Sequence, residues 1–382
     1  MEKNKLKVCI IIASDPNFLG GLGTYQRNLI PYLKKSAEVS MIYKGAKRIR
    51  YTKEGVNFFQ IKSPNSSFLG NIFFDLKVNS FLKENRFNII NSQGLTGIWM
   101  SLNSHKGDKN TKLVHTYHGS TYHFYKNHLR RFSKIKRILF FPILFFPYLI
   151  ERFPMKNADK IICVSNHVKK DLMKLHGIRG NMEVIKTGVD LVKFKPRDKI
   201  KTRLKLNLEK NTIYGLYVGR GGFWTKGLDK VVNLSKEIYK LNKNFRLIIV
   251  GAEEKKIAHL LDNNFMILLP PQTRDNMPYY YNAADIFFSM SRCEGGAPSM
   301  VTSEAMASGC LIITDKEAEQ EIIEDEKNGL IIDKDYEKEA KRILNKLKYK
   351  ESTRKIINNS LKSAKELSLD KWAEKYLNAL MN

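Results

Sequence analysis

Along the whole chain, short runs of β-branched and other apolar residues alternate with longer stretches whose apolar positions recur at helical spacing. That alternation predicts parallel strands joined by crossover helices. In the first half the predicted strands are Lys7–Ala13, Glu38–Tyr43, Val56–Gln60, Ile89–Ser92, Leu113–Tyr117, Lys160–Val164 and Met182–Ile185. The second half restarts the pattern with Ile213–Val218, Arg246–Val250, Met266–Leu269, Ile286–Ser289, Leu311–Thr314 and Gly329–Ile332. Helices are predicted between them, among others at Tyr25–Lys35, Gly227–Leu241 and Ser299–Ser308. A charge-rich stretch, 193–206, follows Thr187-Gly188-Val189-Asp190 and reads as a linker. The expectation is α/β: two doubly wound parallel-sheet domains, 1–192 and 207–355, followed by 356–382. A length of 382 residues exceeds what one core usually organises, which agrees with two domains. Ligands of such sheets bind beyond the carboxyl ends of the strands, where the strand order reverses.

Composition changes the picture in one respect. Lys and Arg number 66 against 38 Asp and Glu, a net charge of +28, which favours anionic partners such as phosphorylated ligands, acidic membrane surfaces or nucleic acid. Many of the lysines are scattered singly, and the aromatics sit in apolar runs rather than interleaved on a basic face, which argues against nucleic acid. The four cysteines, Cys9, Cys163, Cys293 and Cys310, lie far apart with no CxxC pattern, so buried thiols in a reducing compartment are expected rather than a zinc site. The apolar run after Lys7 is too short for a secretory segment, and no uninterrupted run approaches the ~20 apolar residues of a membrane span. A cytoplasmic protein is expected.

Three loops carry candidate chemistry. Gly20-Gly21-Leu22-Gly23-Thr24 follows the first strand and opens a helix, where backbone N–H groups face an approaching anion. It lacks the spacing of a dinucleotide fingerprint, and a loop that merely turns is the alternative. Gly219-Arg220-Gly221-Gly222-Phe223-Trp224-Thr225-Lys226-Gly227 follows the first strand of the second half. Its two cations on a glycine-rich loop suit a diphosphate, because Arg binds phosphate oxygens in pairs and Lys acts as a mobile point charge. The third loop, Glu294-Gly295-Gly296-Ala297-Pro298, turns into a helix that carries Glu304 among small and apolar residues. A carboxylate on a mostly buried face needs a donor, and ribose hydroxyls would supply one, as would a structural partner.

Taken in order with Tyr117-His118-Gly119, Ala158-Asp159-Lys160-Ile161-Ile162-Cys163-Val164-Ser165, Val184-Ile185-Lys186-Thr187-Gly188-Val189-Asp190 and Glu304-Ala305-Met306-Ala307-Ser308-Gly309, these loops resemble family 4 of the glycosyltransferases, retaining enzymes of the GT-B fold. The resemblance implies two Rossmann-like domains facing across a cleft, the first on the acceptor side and the second holding a nucleotide-sugar. It further implies that the terminal helix around Leu369-Asp370-Lys371-Trp372 packs back on the first domain. By the same resemblance Gly20, Gly21 and Gly23 border the diphosphate and acceptor, and His118 contacts the transferred sugar. Arg220 and Lys226, beside Gly219, neutralise the leaving diphosphate; Glu304 holds the ribose; and Glu294 with Gly295, Gly296 and Ala297 grips the sugar. One departure stands out: nine residues separate Glu294 from Glu304, where the family has seven.

The implied reaction uses the nucleotide-sugar as co-substrate, with no other cofactor and no metal, since cations and helix N-termini can stabilise the departing diphosphate. The acceptor is hinted at by one segment. Arg130-Arg131-Phe132-Ser133-Lys134-Ile135-Lys136-Arg137 leads directly into an apolar stretch ending at Ile150. A basic stretch beside aromatics and leucines suits peripheral docking of 130–150 at an anionic membrane, which would favour a lipid-linked glycan or glycolipid acceptor. A buried crossover segment is the alternative, and the prolines at 142 and 147 are expected to break a helix there. Rival functions are a GT-B-like sugar-nucleotide epimerase, which needs further acid/base carboxylates, and a basic nucleic-acid-binding protein.

Overall fold

The computed structural model describes residues 5–16, 20–64, 69–102, 110–178, 180–219, 224–292, 295–318 and 321–382. The chain forms two compact units, Met1–Lys186 with Trp372–Asn382, and Thr187–Lys371.

The first unit is built on β1 (Leu6–Ile12), β2 (Ala37–Gly45), β3 (Ile49–Lys53), β4 (Val56–Lys62), β5 (Ile89–Gln93), β6 (Lys112–Tyr117), β7 (Lys160–Cys163) and β8 (Met182–Val184). Their order in the sheet is β3-β4-β2-β1-β5-β6-β7-β8. All neighbours are parallel except the β3–β4 hairpin. β1 is fully buried from Val8 to Ile12, as befits a central parallel strand covered on both faces. On one face Cys9, Ile11, Ile42 and Ile90 meet Phe74, Val78 and Leu82, which recur at i, i+4 and i+8 on the helix Leu69–Glu84. Each such buried side chain contributes roughly 1.5–3 kcal/mol. The order reverses between β1 and β5, so the carboxyl ends of these two strands flank the place where a doubly wound sheet takes its ligand.

The second unit holds β9 (Ile213–Val218), β10 (Phe245–Val250), β11 (Met266–Leu269), β12 (Ile286–Ser289), β13 (Leu311–Asp315) and β14 (Leu330–Ile332), ordered β11-β10-β9-β12-β13-β14 and parallel throughout. Along β10, Leu247 and Ile249 enter one core with Val231 and Ile238, whereas Ile248 and Val250 enter the other with Ala305 and Met306. That two-residue alternation lets one strand serve both faces. Here the order reverses between β9 and β12.

The division of the chain differs from the expectation in three places. Residues 193–206 are no linker: Phe194 is fully buried in a core of the second unit, and Lys199–Lys205 is a helix. The charge that suggested a solvated segment is partly internal, since the buried Arg203 reaches Asp285 at 2.6 Å and the Ala283 carbonyl at 3.0 Å. The boundary falls instead after Lys186, and within 356–382 only Trp372 onward belongs to the first unit. The edge strand β3, whose Arg, Tyr, Thr and Lys side chains are mostly exposed, carries no apolar run by which to find it.

The basic-aromatic segment also differs. Lys134–Phe140, a 3₁₀ turn at Phe141–Leu144 and Phe145–Asn157 run on as one helical stretch, so the two prolines do not break it. Pro142 lies at the start of the 3₁₀ turn and Pro147 in the first turn of the following helix, where the missing N–H has no intrahelical acceptor to lose. The stretch of 24 residues is long and apolar enough to cross a membrane by length and composition alone, contrary to the sequence expectation. Its later part is folded into the first unit, with Ile150 and Met155 buried, while Ile135, Ile138 and Leu139 are 81%, 76% and 71% exposed.

Candidate functional site

In the first unit, Gly20 ends the loop after β1 and stands as N-cap of the helix Gly21–Ser36, so the expected glycine loop is largely the first helical turn. Nothing lies within 4 Å of where a Cβ on Gly21 would sit. Crowding by the described residues therefore does not require glycine there. Gly23 is buried in that turn. His118 directly follows β6, and its Nε2 lies 2.9 Å from Oε1 of Gln93, the last residue of β5. The Tyr25 ring meets the imidazole edge-on at 4.6 Å. Burial pushes the His118 pKa down to about 4, so its ring is neutral at pH 7.

In the second unit, the loop after β9 carries Gly219 and Lys226; Arg220 lies outside the described residues. Gly227 is left-handed (φ 71°), and a Cβ there would lie 1.8 Å from the Met290 carbonyl oxygen, so this loop and the one after β12 touch where only glycine fits. Arg292 fastens the contact. Its backbone N–H donates to Thr225 O (2.9 Å), its Nη1 to Trp224 O (2.6 Å), and its two Nη groups bind both Asp229 oxygens at 2.7 Å. The Trp224 ring lies 4.9 Å from the guanidinium. Asp229 and Glu317 nearby hold that guanidinium protonated against the cost of its burial. Loop carbonyls are thus turned toward a cation that already has its counter-ion.

The loop after β12 leads through Gly295, Gly296 and the buried Ala297 to the helix Met300–Ser308; Glu294 lies outside the described residues. Ser299 caps that helix. The fully buried Thr302 ties the cap to the sheet, 2.8 Å from Ser299 Oγ and 2.7 Å from Ser289 Oγ. The N-terminal end of this helix carries the positive end of its dipole, which favours an anion. One turn further, Glu304 Oε2 accepts a hydrogen bond from Tyr281 OH at 2.9 Å, and among the described residues Oε1 has no hydrogen-bond partner. Burial raises the Glu304 pKa to about 7, against the opposing pull of Arg274 and Tyr281. Tyr281 takes one of the donor places that ribose hydroxyls were expected to fill, and leaves the other.

Each half of the chain therefore brings its predicted residues to the carboxyl ends of the strands flanking its own switch point or of their immediate neighbour: Gly20, Gly21, Gly23 and His118 in the first, Gly219, Lys226, Gly295, Gly296, Ala297 and Glu304 in the second. Sequence reasoning passed over Gln93, Tyr281, Arg274 and Arg292. For Arg292 the only signal was a third cation beside the glutamate loop. Among the described residues no group of three His, Cys, Asp or Glu side chains is arranged to hold a metal ion. A Ser120, His123 and Asp171 cluster has the composition of a nucleophilic triad but not its wiring. The serine (2.9 Å) and the aspartate (3.4 Å) both approach His123 Nδ1, leaving no relay through the ring.

Comparison with known proteins bears on the family and the fold. The family model "Glycosyltransferase Family 4" matches residues 19–193, and "Glycosyl transferases group 1" matches 197–363. Among curated relatives, alpha-monoglucosyldiacylglycerol synthase of Streptococcus pneumoniae is 26% identical over 68% of this chain and 57% of its own length, so the match spans little more than half of that protein. Among solved structures, sucrose-phosphate synthase from Thermosynechococcus elongatus superposes with a TM-score of 0.80 at 18% identity, covering 98% of each chain. An Anabaena protein in complex with UDP-glucose gives 0.72 at 17%, covering 98% of this chain and 99% of that one. With both halves of the sequence matched and two parallel-sheet α/β units of the GT-B kind, the chain belongs to the family 4 glycosyltransferases.

Proposed function

We propose that the protein is a hexosyltransferase that moves a sugar from a nucleotide-sugar to a hydroxyl acceptor with retention of anomeric configuration and without a metal. The observation that carries this reading is in the second unit. The Lys226 loop after β9, and the Ser299-capped helix N-terminus with Glu304 after β12, flank one switch point. A cation and a helix N-terminus suit a diphosphate, and a carboxylate with an open oxygen suits a ribose. As the anomeric C–O bond breaks, the diphosphate gains negative charge, which Lys226, Arg220 and the helix amides stabilise. The acceptor oxygen bonds to the anomeric carbon on the face being vacated, and its proton passes to the departing phosphate oxygen. No protein base is then needed, and neutral His118 serves the transferred sugar as a hydrogen-bonding partner. A thermal-shift panel of UDP-, GDP- and ADP-sugars tests the donor: one of them raises the melting temperature, and no shift with any would count against the reading. Rates unchanged in EDTA are expected; abolished transfer would overturn metal independence. Turnover of donor without acceptor to an epimerised sugar-nucleotide would favour the epimerase instead.

For the acceptor, the proposal is a lipid-linked glycan or glycolipid met at the cytoplasmic face of an anionic membrane. Ile135, Ile138, Leu139, Phe141, Ile143 and Phe145 are exposed on one helical stretch, next to exposed Arg130, Arg131, Lys134, Lys136 and Arg137. An apolar face rimmed by cations is the chemistry of an interfacial helix, each cation near the surface adding about 1 kcal/mol. The product in the pneumococcal relative's name is a glycolipid, which supports this choice. Sedimentation with phosphatidylglycerol vesicles, weakened by salt and abolished by Ile138→Asp with Leu139→Asp, is the expected result. Binding unaffected by those substitutions would remove 130–150 from the proposal.

A further inference from the structure

Beneath His118 the first unit carries a connected set of neutral hydrogen bonds that reaches the last helix of the chain, Leu369–Met381. Gln93 Oε1 receives Gln26 Nε2–H at 2.6 Å and lies 2.9 Å from His118 Nε2. Its amide nitrogen donates to Asn91 Oδ1 at 2.6 Å. Asn91 Oδ1 also accepts from Tyr376 OH at 3.0 Å, Asn91 Nδ2 donates to Thr116 Oγ1 at 3.1 Å, and Tyr376 OH lies 2.7 Å from Thr116 Oγ1. Every one of these side chains except His118 is fully buried, and 283 residues separate Gln93 from Tyr376.

These bonds have a direction. With its nitrogen engaged on Asn91, the Gln93 amide presents only oxygen to the ring, and an amide oxygen can only accept. His118 Nε2 must then carry the hydrogen. Because the ring is neutral, Nδ1 is left with a lone pair. Tyr25 fixes the ring plane edge-on, and Tyr25 is itself packed edge-on against Trp372 at 4.8 Å. Both aromatic and polar supports of His118 therefore include the terminal helix.

We propose that Gln93 is a positioning residue that sets the tautomer of His118, holding Nδ1 as a hydrogen-bond acceptor for a hydroxyl of the transferred sugar, and that Tyr376 locks the Gln93 amide in the orientation this requires. The proposal rests on the reading that His118 meets the sugar, and it adds a direction to that contact. A site that accepts from a hydroxyl selects a sugar bearing one at that position, and rejects a deoxy analogue because the buried acceptor would be left unpaired.

The test is nitrogen-15 spectroscopy of ring-labelled histidine in the full chain at pH 7, with the His118 signals assigned by their loss in His118→Asn. The expected spectrum has a protonated Nε2 and a bare Nδ1. Gln93→Leu should move His118 toward the Nδ1–H form and lower kcat about tenfold, the scale of one hydrogen bond. Gln93→Glu, which keeps an acceptor facing Nε2, should retain the wild-type tautomer. Tyr376→Phe, which removes one oxygen from a filled core, should give a mixed tautomer and a smaller fall in kcat, with nucleoside diphosphate affinity unchanged. It keeps the test open should Gln93→Leu fail to fold. A wild-type Nδ1–H signature, or a tautomer indifferent to Gln93→Leu or to Tyr376→Phe, would overturn the proposal. If the tautomer is as expected but His118→Asn transfers sugar at the wild-type rate, the sugar contact is what fails, and the tautomer assignment stands.

Discussion

The surroundings of His118 and of Lys226 are built from opposite materials. Beneath His118 the supports are amides, hydroxyls and aromatic edges with no formal charge among them. Beneath the Lys226 loop they are ion pairs: Arg292 on Asp229, and the buried Lys230 on Asp315 at 2.6 Å and on Glu317 at 2.8 Å. Neutral networks fix which atom donates and which accepts. Ion pairs anchor a loop while cancelling their own charge, so that the bracing cations do not compete with Lys226 for an anion. The comparison teaches that a neutral network supplies direction and an ion-paired one supplies charge; on the proposed function, the first suits recognition of a sugar hydroxyl and the second that of a diphosphate.

Replacing the charge should have the largest consequence. Lys226→Ala is expected to lower kcat about 10²–10³-fold, the scale of removing one group that stabilises developing negative charge. Arg220→Ala should behave alike, and undiminished turnover in either would break the comparison on the charged side. Arg292→Ala should act on stability as well as rate. It leaves Asp229 uncompensated and the Trp224 carbonyl without its side-chain donor, while the backbone N–H of residue 292 still reaches Thr225 O, a loss of about 1–3 kcal/mol; a denaturant midpoint equal to wild type would show that the brace is dispensable. Glu304→Gln should weaken nucleotide affinity about tenfold, as expected for losing a charge-assisted hydrogen bond; equal affinity by calorimetry would remove its ribose role.

The smallest effect is a pair of pH signatures with opposite signs. The folded-state pKa of Glu304 is raised to about 7. Its contribution is therefore fully present below the unfolded value near 4.5 and is lost as pH rises through 7. His118 is lowered to about 4, so its contribution is present above the unfolded value near 6.5 and is lost as pH falls toward 4. Asp75, buried in the first unit and raised to about 7, adds to the first trend, so the signatures are read as differences from wild type. Glu304→Gln should flatten the fall in melting temperature between pH 5 and 8, and His118→Gln the fall between pH 6.5 and 4. Both shifts arise because burial favours the neutral form of each group, so identical pH profiles for wild type and both variants would contradict the burial of Glu304 and His118.

Much of this was legible in the sequence, for a physical reason. Central parallel strands are covered on both faces, so β1, β9 and β10 read as apolar runs, and the loops after β1 and β9 are where the candidate chemistry lies. What was not legible depended on partners distant in sequence. Arg203 looked solvated until Asp285 met it, and Arg292 had no visible role without Asp229, 63 residues earlier. Gln93 is one more polar residue at a strand end until Tyr376 and His118 give its amide a direction. The prolines at 142 and 147 misled because their effect depends on which turn of a helix they occupy.

The most direct test is a crystal structure of the protein with an unhydrolysable nucleotide-sugar. The account predicts the diphosphate between the Lys226 ammonium and the N-terminus of the helix Met300–Ser308, with the ribose hydroxyls on Glu304 Oε1. A nucleotide seated elsewhere, with Lys226 and Glu304 both away from it, would contradict the claim on which the reaction depends.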